Sequence, residues 1–147
     1  MSAERLTRHR ARLEETTGLT DLIRVARELL IEDRENDNMT VFVQAFAGGS
    51  TDAEMGVKLY NELEPWTGMV TDSVASALGD SPMANTIPQE RVAQAISALF
   101  LGIELLDNLD PERANAHELF DSLEPLALLL EGLLQSPILQ NLITPES

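Results

Sequence analysis

The chain contains no cysteine, which removes disulfides, thiolate nucleophiles and thiolate metal sites together. Basic residues are scarce as well: ten Lys and Arg stand against twenty-five Asp and Glu, a formal net charge of −15. Phosphate backbones repel such a surface, so no nucleic acid is expected to bind this chain alone. No uninterrupted apolar run reaches the roughly 20 residues of a membrane span, and the opening MSAERLTRHRAR has no apolar leader. A cytoplasmic protein without membrane contact is the expectation. The two histidines, His9 and His117, are far apart, and no carboxylate spacing beside them marks a metal site. A glycine-rich phosphate loop and a nucleophile elbow are also missing. The sequence therefore gives no catalytic residue, no metal and no cofactor, and an enzyme is not expected.

What is present is apolar content of 44% spread over 147 residues, enough for one domain with a sizeable core. Residues 87–109, IPQERVAQAISALFLGIELLDNL, organise it. At helical spacing this stretch carries two apolar seams side by side. One is Val92, Ile96, Leu99, Ile103 and Leu106. The other is Ala95, Ala98, Gly102, Leu105 and Leu109, whose first three members are small. The remaining stripe, Glu90, Gln94, Ser97, Glu104 and Asn108, is polar apart from Leu101. A surface helix hides one apolar stripe, so two seams call for packing on two sides.

Residues 111–135 repeat the pattern, with Leu119, Leu123, Leu126, Leu130 and Leu133 beside Ala116, Phe120, Ala127 and Leu134. Asp110 is a natural N-cap and Pro111 suits the first helical position. The break between the two helices is short, which predicts antiparallel neighbours. Four seams on two helices exceed what one monomer core covers easily. A homodimer built on this pair is expected, with Ala95, Ala98, Gly102, Leu105, Leu119, Phe120, Leu123, Ala127 and Leu130 in its interface.

Earlier in the chain, residues 2–17 predict a helix with four arginines ahead of two glutamates, opposite to the helix-dipole preference. Its apolar face is little more than Ala3, Leu6 and Leu13, and His9 is expected to be solvated. Thr20 is expected to cap a helix running to about Glu35, with the polar run EDREND from Glu32 read as a turn. Residues 38–47 predict a short helix stopped by Gly48-Gly49-Ser50. Thr51 with Glu54 forms a capping box for a helix reaching Leu78, which Pro65 is expected to kink near Glu64. Thr86 with Gln89 is expected to cap the organising helix. Beyond residue 135, SPILQNLITPES holds a short apolar piece suited to covering a groove. The expected fold class is thus all-α, a bundle of about six helices.

The soft and aromatic residues of the middle, Phe42, Phe46, Tyr60, Trp66 and Met69, with Phe100 opposite, are the candidate lining of an apolar pocket. The proline next to Trp66 is the reason for placing the pocket there. Plain core packing is the competing assignment for the same residues.

The order of these elements resembles the regulatory domain of the TetR family of bacterial transcription repressors. The resemblance rests on LYNELEPWTGMVTDSVASALGDSP, then IPQERVAQAISALFLGIELL with its internal glycine, then DPERANAHELFDSLEPLALLLEGLL. It implies that the last two long helices form a dimer four-helix bundle and that the helices before them enclose a small apolar or aromatic ligand. By that alignment residues 1–18 are part of a linking helix, 19–135 the regulatory domain and 136–147 a tail. The family's helix-turn-helix reader has no counterpart here. DNA contact is then expected only where such a reader precedes this segment in the parent protein. A helical adaptor dimer with no small ligand is the alternative function.

Overall fold

A computed structural model describes residues 3–35, 38–138 and 141. Those residues form helices and turns, with no strand among them. The helices are α1 (Ala3–Glu14), α2 (Leu19–Glu35), α3 (Asn38–Thr51), α4 (Ala53–Leu78), α5 (Gln89–Leu109), the single-turn α6 (Pro111–Ala114) and α7 (Ala116–Leu134). A 3-10 turn, Pro82–Asn85, joins α4 to α5. The expected all-α bundle of about six main helices is what the chain forms.

Packing follows the apolar faces. α5 lies along α4, α7 lies along α2, α3 folds back on α4, and α1 crosses α4. Leu22, Val25 and Leu29 of α2, Trp66 and Val70 of α4, and Phe100 and Ile103 of α5 share one core. The two long C-terminal helices are therefore not each other's main neighbours, contrary to the expectation from their short connection. The cause is local. Asn115 takes a left-handed conformation with φ 41°, which asparagine tolerates better than most residues. The helix expected to run unbroken from Pro111 ends after one turn and restarts in a new direction, along α2. Asp110 does cap α6, accepting from the Arg113 amide at 3.2 Å.

The α3–α4 connection also departs from the expectation by a small step. Asp52, not Thr51, caps α4, accepting from the amides of Glu54 and Met55 at 2.9 and 3.1 Å. Thr51 closes α3 and donates its hydroxyl to the Gly48 carbonyl at 3.0 Å. α3 continues through its glycines because they serve contact rather than termination. A Cβ on Gly56 would lie 2.8 Å from the Gly49 carbonyl oxygen, so the two helices cross backbone on backbone. α4 runs 26 residues without a break across Pro65. α5 has no side-chain cap; Gln89 instead donates to the Ala84 carbonyl at 2.9 Å.

α5 passes the length and mean-hydropathy test for a membrane-crossing helix, with a window mean of 1.4. Glu104 and Asp107 interrupt its apolar sequence, so no uninterrupted apolar run marks it. In the bundle both acids are buried, and α5 packs along α4. Most of the tail expected to cover a groove lies outside the described residues; Ile138, near its start, is exposed.

One long-range cap ties the ends of the domain together. Glu131, on the last turn of α7, accepts from the Thr20 amide at 2.9 Å and the Thr20 hydroxyl at 3.0 Å. It thus satisfies an orphan donor at the start of α2, more than 100 residues away. A Cβ at Gly18 would sit 2.5 Å from the same carboxylate oxygen. Glu131→Ala is expected to cost about 1–2 kcal/mol, a cap and a charge-assisted hydrogen bond together. Urea unfolding of the variant measures it; no loss would mean that water replaces the carboxylate.

Candidate functional site

The indole of Trp66 is the centre of the first candidate region. It faces inward from α4, in register with Met69, Val70 and Ser73, and is 3% exposed. Phe100 of α5 lies across it with ring centroids 5.3 Å apart and planes inclined by 32°. On its other side the imidazole of His9, from α1, meets it edge-on at 5.2 Å and 68°. His9 Nε2 is in turn 3.5 Å from Asp33 Oδ2 of α2. Four helices thus meet through one tryptophan, one phenylalanine, one histidine and one aspartate.

His9 is 1% exposed, which corrects the expectation of a solvated side chain. The arginines around it point to an exposed face. Helical spacing carries a different signal: His9 and Leu13 are four apart on α1 and both are buried, as is Thr16 just past the helix end. Asp33 was missed for a similar reason. The acidic run containing it reads as a turn, yet α2 extends to Glu35, and Val25, Leu29 and Asp33 fall on one buried stripe. Arg12 and Glu28 form an ion pair that closes α1 against α2 from outside.

Of the six pocket candidates, the structure brings Trp66, Met69 and Phe100 together in the core. Phe42 is half-buried and stacks with Phe46 at 6.2 Å on α3. Phe46 and Tyr60 are exposed on the α3–α4 hairpin. Two polar atoms in the Trp66 region have no hydrogen-bond partner, Trp66 Nε1 and His9 Nδ1; Ser97 Oγ, one turn from Phe100 on α5, has none either. Next to this region a groove of about 360 Å³ runs between α1 and α4, floored by Leu13 and Met69.

The second candidate region is the outer face of α5 and α7. α5 is rotated relative to the expected orientation. Its buried stripe is Ala93, Ser97, Phe100, Ile103, Glu104 and Asp107, so part of the stripe assigned to solvent faces the core. Asp107 lies 3.8 Å from the Arg34 guanidinium. Ala95, Ala98, Leu99, Leu106 and Leu109 point outward instead, with Gly102 and Leu105 half-buried. On α7 the two seams separate cleanly. Ala116, Phe120 and Ala127 are buried against the chain's own core, whereas Leu119, Leu126, Leu130 and Leu133 are exposed and Leu123 lies between. Phe120 and Ala127, two interface candidates, therefore sit inside the monomer, because α7 turns that seam towards α2.

Between α2, α5 and α7 the outward leucines border a groove of about 280 Å³, lined by apolar side chains alone, among them Leu22, Ile96, Leu99, Phe120, Leu126 and Leu130. It brings Leu99 of α5 together with Leu126 and Leu130 of α7. Among the described residues no group of His, Asp and Glu is placed to hold a metal. No family model, curated protein or solved structure matches the chain.

Proposed function

We propose that this chain is the ligand-sensing and homodimerisation domain of a TetR-like transcription regulator, with no reaction of its own. One observation carries the reading: Leu99, Leu106 and Leu109 of α5 and Leu126, Leu129 and Leu130 of α7 are all more than half exposed. Monomeric proteins seldom leave a contiguous apolar surface beyond a few hundred Å², and Leu99, Leu126 and Leu130 line one all-apolar groove between these helices. A second copy, related by a two-fold axis, buries that surface and builds a four-helix interface from α5 and α7 of each protomer. A standard interface needs about 800 Å² per partner.

In this reading α1 is the end of the helix that links sensor to DNA reader. It is tied to the core through His9, Leu13 and Thr16, so a shift of α4 at Trp66 moves it. The adaptor reading keeps the dimer and drops the ligand. It is favoured by one fact, the burial of Trp66 between His9 and Phe100.

Sedimentation of the purified chain tests the shared part of both readings. A dimer is expected at micromolar concentration, unaffected by salt because the contact is apolar. A stable monomer under those conditions would remove the dimer from the proposal.

A further inference from the structure

Residues 40–65 span most of α3 and the first half of α4, and none of them is buried. Helices in proteins draw most of their stability from packing an apolar face, so a hairpin this open lacks a cover. α3 contains no Asp, Glu, Lys or Arg, whereas a helix that keeps one side in water normally carries charge there. The two helices touch at Gly49 and Gly56, where a Cβ on Gly56 would lie 2.8 Å from the Gly49 carbonyl oxygen. Phe46, Val57 and Tyr60 all lie within about one helical turn of that contact, and each is more than half exposed. Three large apolar side chains therefore cluster at the crossing without cover.

The charge around this patch selects its occupant. Asp52, Glu54, Glu62 and Glu64 are all exposed on the same hairpin. The one base there, Lys58, is held by Glu54 at 2.7 Å. Among the described residues Glu62 and Glu64 have no ion-pair partner. Glu64 is four residues on from Tyr60, so it stands beside the patch on the same face of α4. A second copy placed here by a two-fold axis would set these acids against their own images, in a chain already at −15. An anionic membrane surface is repelled in the same way. A helix with one apolar face flanked by Lys and Arg meets both features. Its face covers Phe46, Val57 and Tyr60, and its bases meet the acids at the rim. We infer that the α3–α4 hairpin is a docking surface for a basic amphipathic helix of another protein. It uses none of the α5 and α7 residues of the proposed dimer, so the two proposals stand or fall separately.

The test titrates the full chain into three labelled peptides and reads fluorescence anisotropy. One is a helical peptide with leucines on one face and lysines on the other. The second has the same composition, scrambled so that no apolar face forms, and the third has glutamate for every lysine. The first is expected to bind saturably, the scrambled peptide about tenfold more weakly, and the acidic one not at all. Phe46→Gln and Tyr60→Gln place a good helix former at exposed positions. Each should weaken the first peptide about tenfold, the size of an interface anchor, whereas Leu126→Gln on α7 should leave it unchanged. Glu62→Gln combined with Glu64→Gln should flatten the salt dependence of binding. If a hairpin variant does not fold, the ratio of the first peptide to the scrambled one on the unaltered chain decides alone. Equal binding of those two peptides, or no saturable binding of the first, would overturn the docking surface. Loss of the dimer in Phe46→Gln or Tyr60→Gln, read by sedimentation, would make the occupant a second copy and overturn the basic helix. Binding of the chain to neutral phosphatidylcholine vesicles, lost in the same variants, would overturn it in favour of a membrane.

Discussion

Gly102→Arg is expected to abolish the proposed dimer while leaving the fold intact. Gly102 lies on the outer face of α5, and a Cβ built there meets nothing within 4 Å in the monomer. Replacing a mid-helix glycine also raises helix propensity by up to about 1 kcal/mol. The isolated chain therefore has no reason to resist the change. In the proposed interface the same position sits with Ala95 and Ala98, small residues that let a partner helix come close. A guanidinium placed there is buried without a counter-charge, which costs several kcal/mol. Loss of about 4 kcal/mol raises the dissociation constant roughly a thousandfold. Sedimentation equilibrium gives that constant, and thermal unfolding reports the fold. A variant that dimerises as tightly as the unaltered chain would place the interface elsewhere.

Phe120→Ala should do the opposite, damaging the fold at every protein concentration. Phe120 is 3% exposed and fills the junction of α2, α5 and α7. Truncating a buried phenylalanine costs about 3–5 kcal/mol, a large part of the 5–15 kcal/mol that typically holds a domain together. Leu130→Ala is the matched control, since Leu130 lies on the same helix but is 51% exposed. Its loss should act mainly through dimerisation. Urea unfolding at several protein concentrations separates the two, because stability gained from a partner varies with concentration and intrinsic stability does not. If Phe120→Ala behaved like Leu130→Ala, α7 would not be packed as the fold has it.

The two-seam pattern of the C-terminal helices shows how much of this was legible beforehand. On α7 the spacing alone separated Phe120 and Ala127 from Leu119, Leu126 and Leu130, and the fold buries one set and exposes the other. What spacing left open was which set would be core. On α5 the expected orientation was wrong for a physical reason: Ser97, Glu104 and Asp107 are buried despite their polarity. Asp107 finds Arg34, from a helix more than 70 positions earlier. A periodicity argument gives every acid to solvent, because it cannot see the partner that makes burial tolerable.

The sequence by itself determined the class of structure and its segments. Periodic apolar residues, proline and asparagine at the breaks, and caps such as Asp110 are local signals, and local signals suffice for helices. It also held the excess of leucine that argues for a partner. Only the tertiary structure decided which helices are neighbours, through the left-handed turn at Asn115 that sends α7 along α2. It alone brought His9 to Trp66 and Asp33. These three lie on different helices and are linked by contacts with no sequence period. A histidine among arginines looks solvated until the fold places an aspartate and an indole around it.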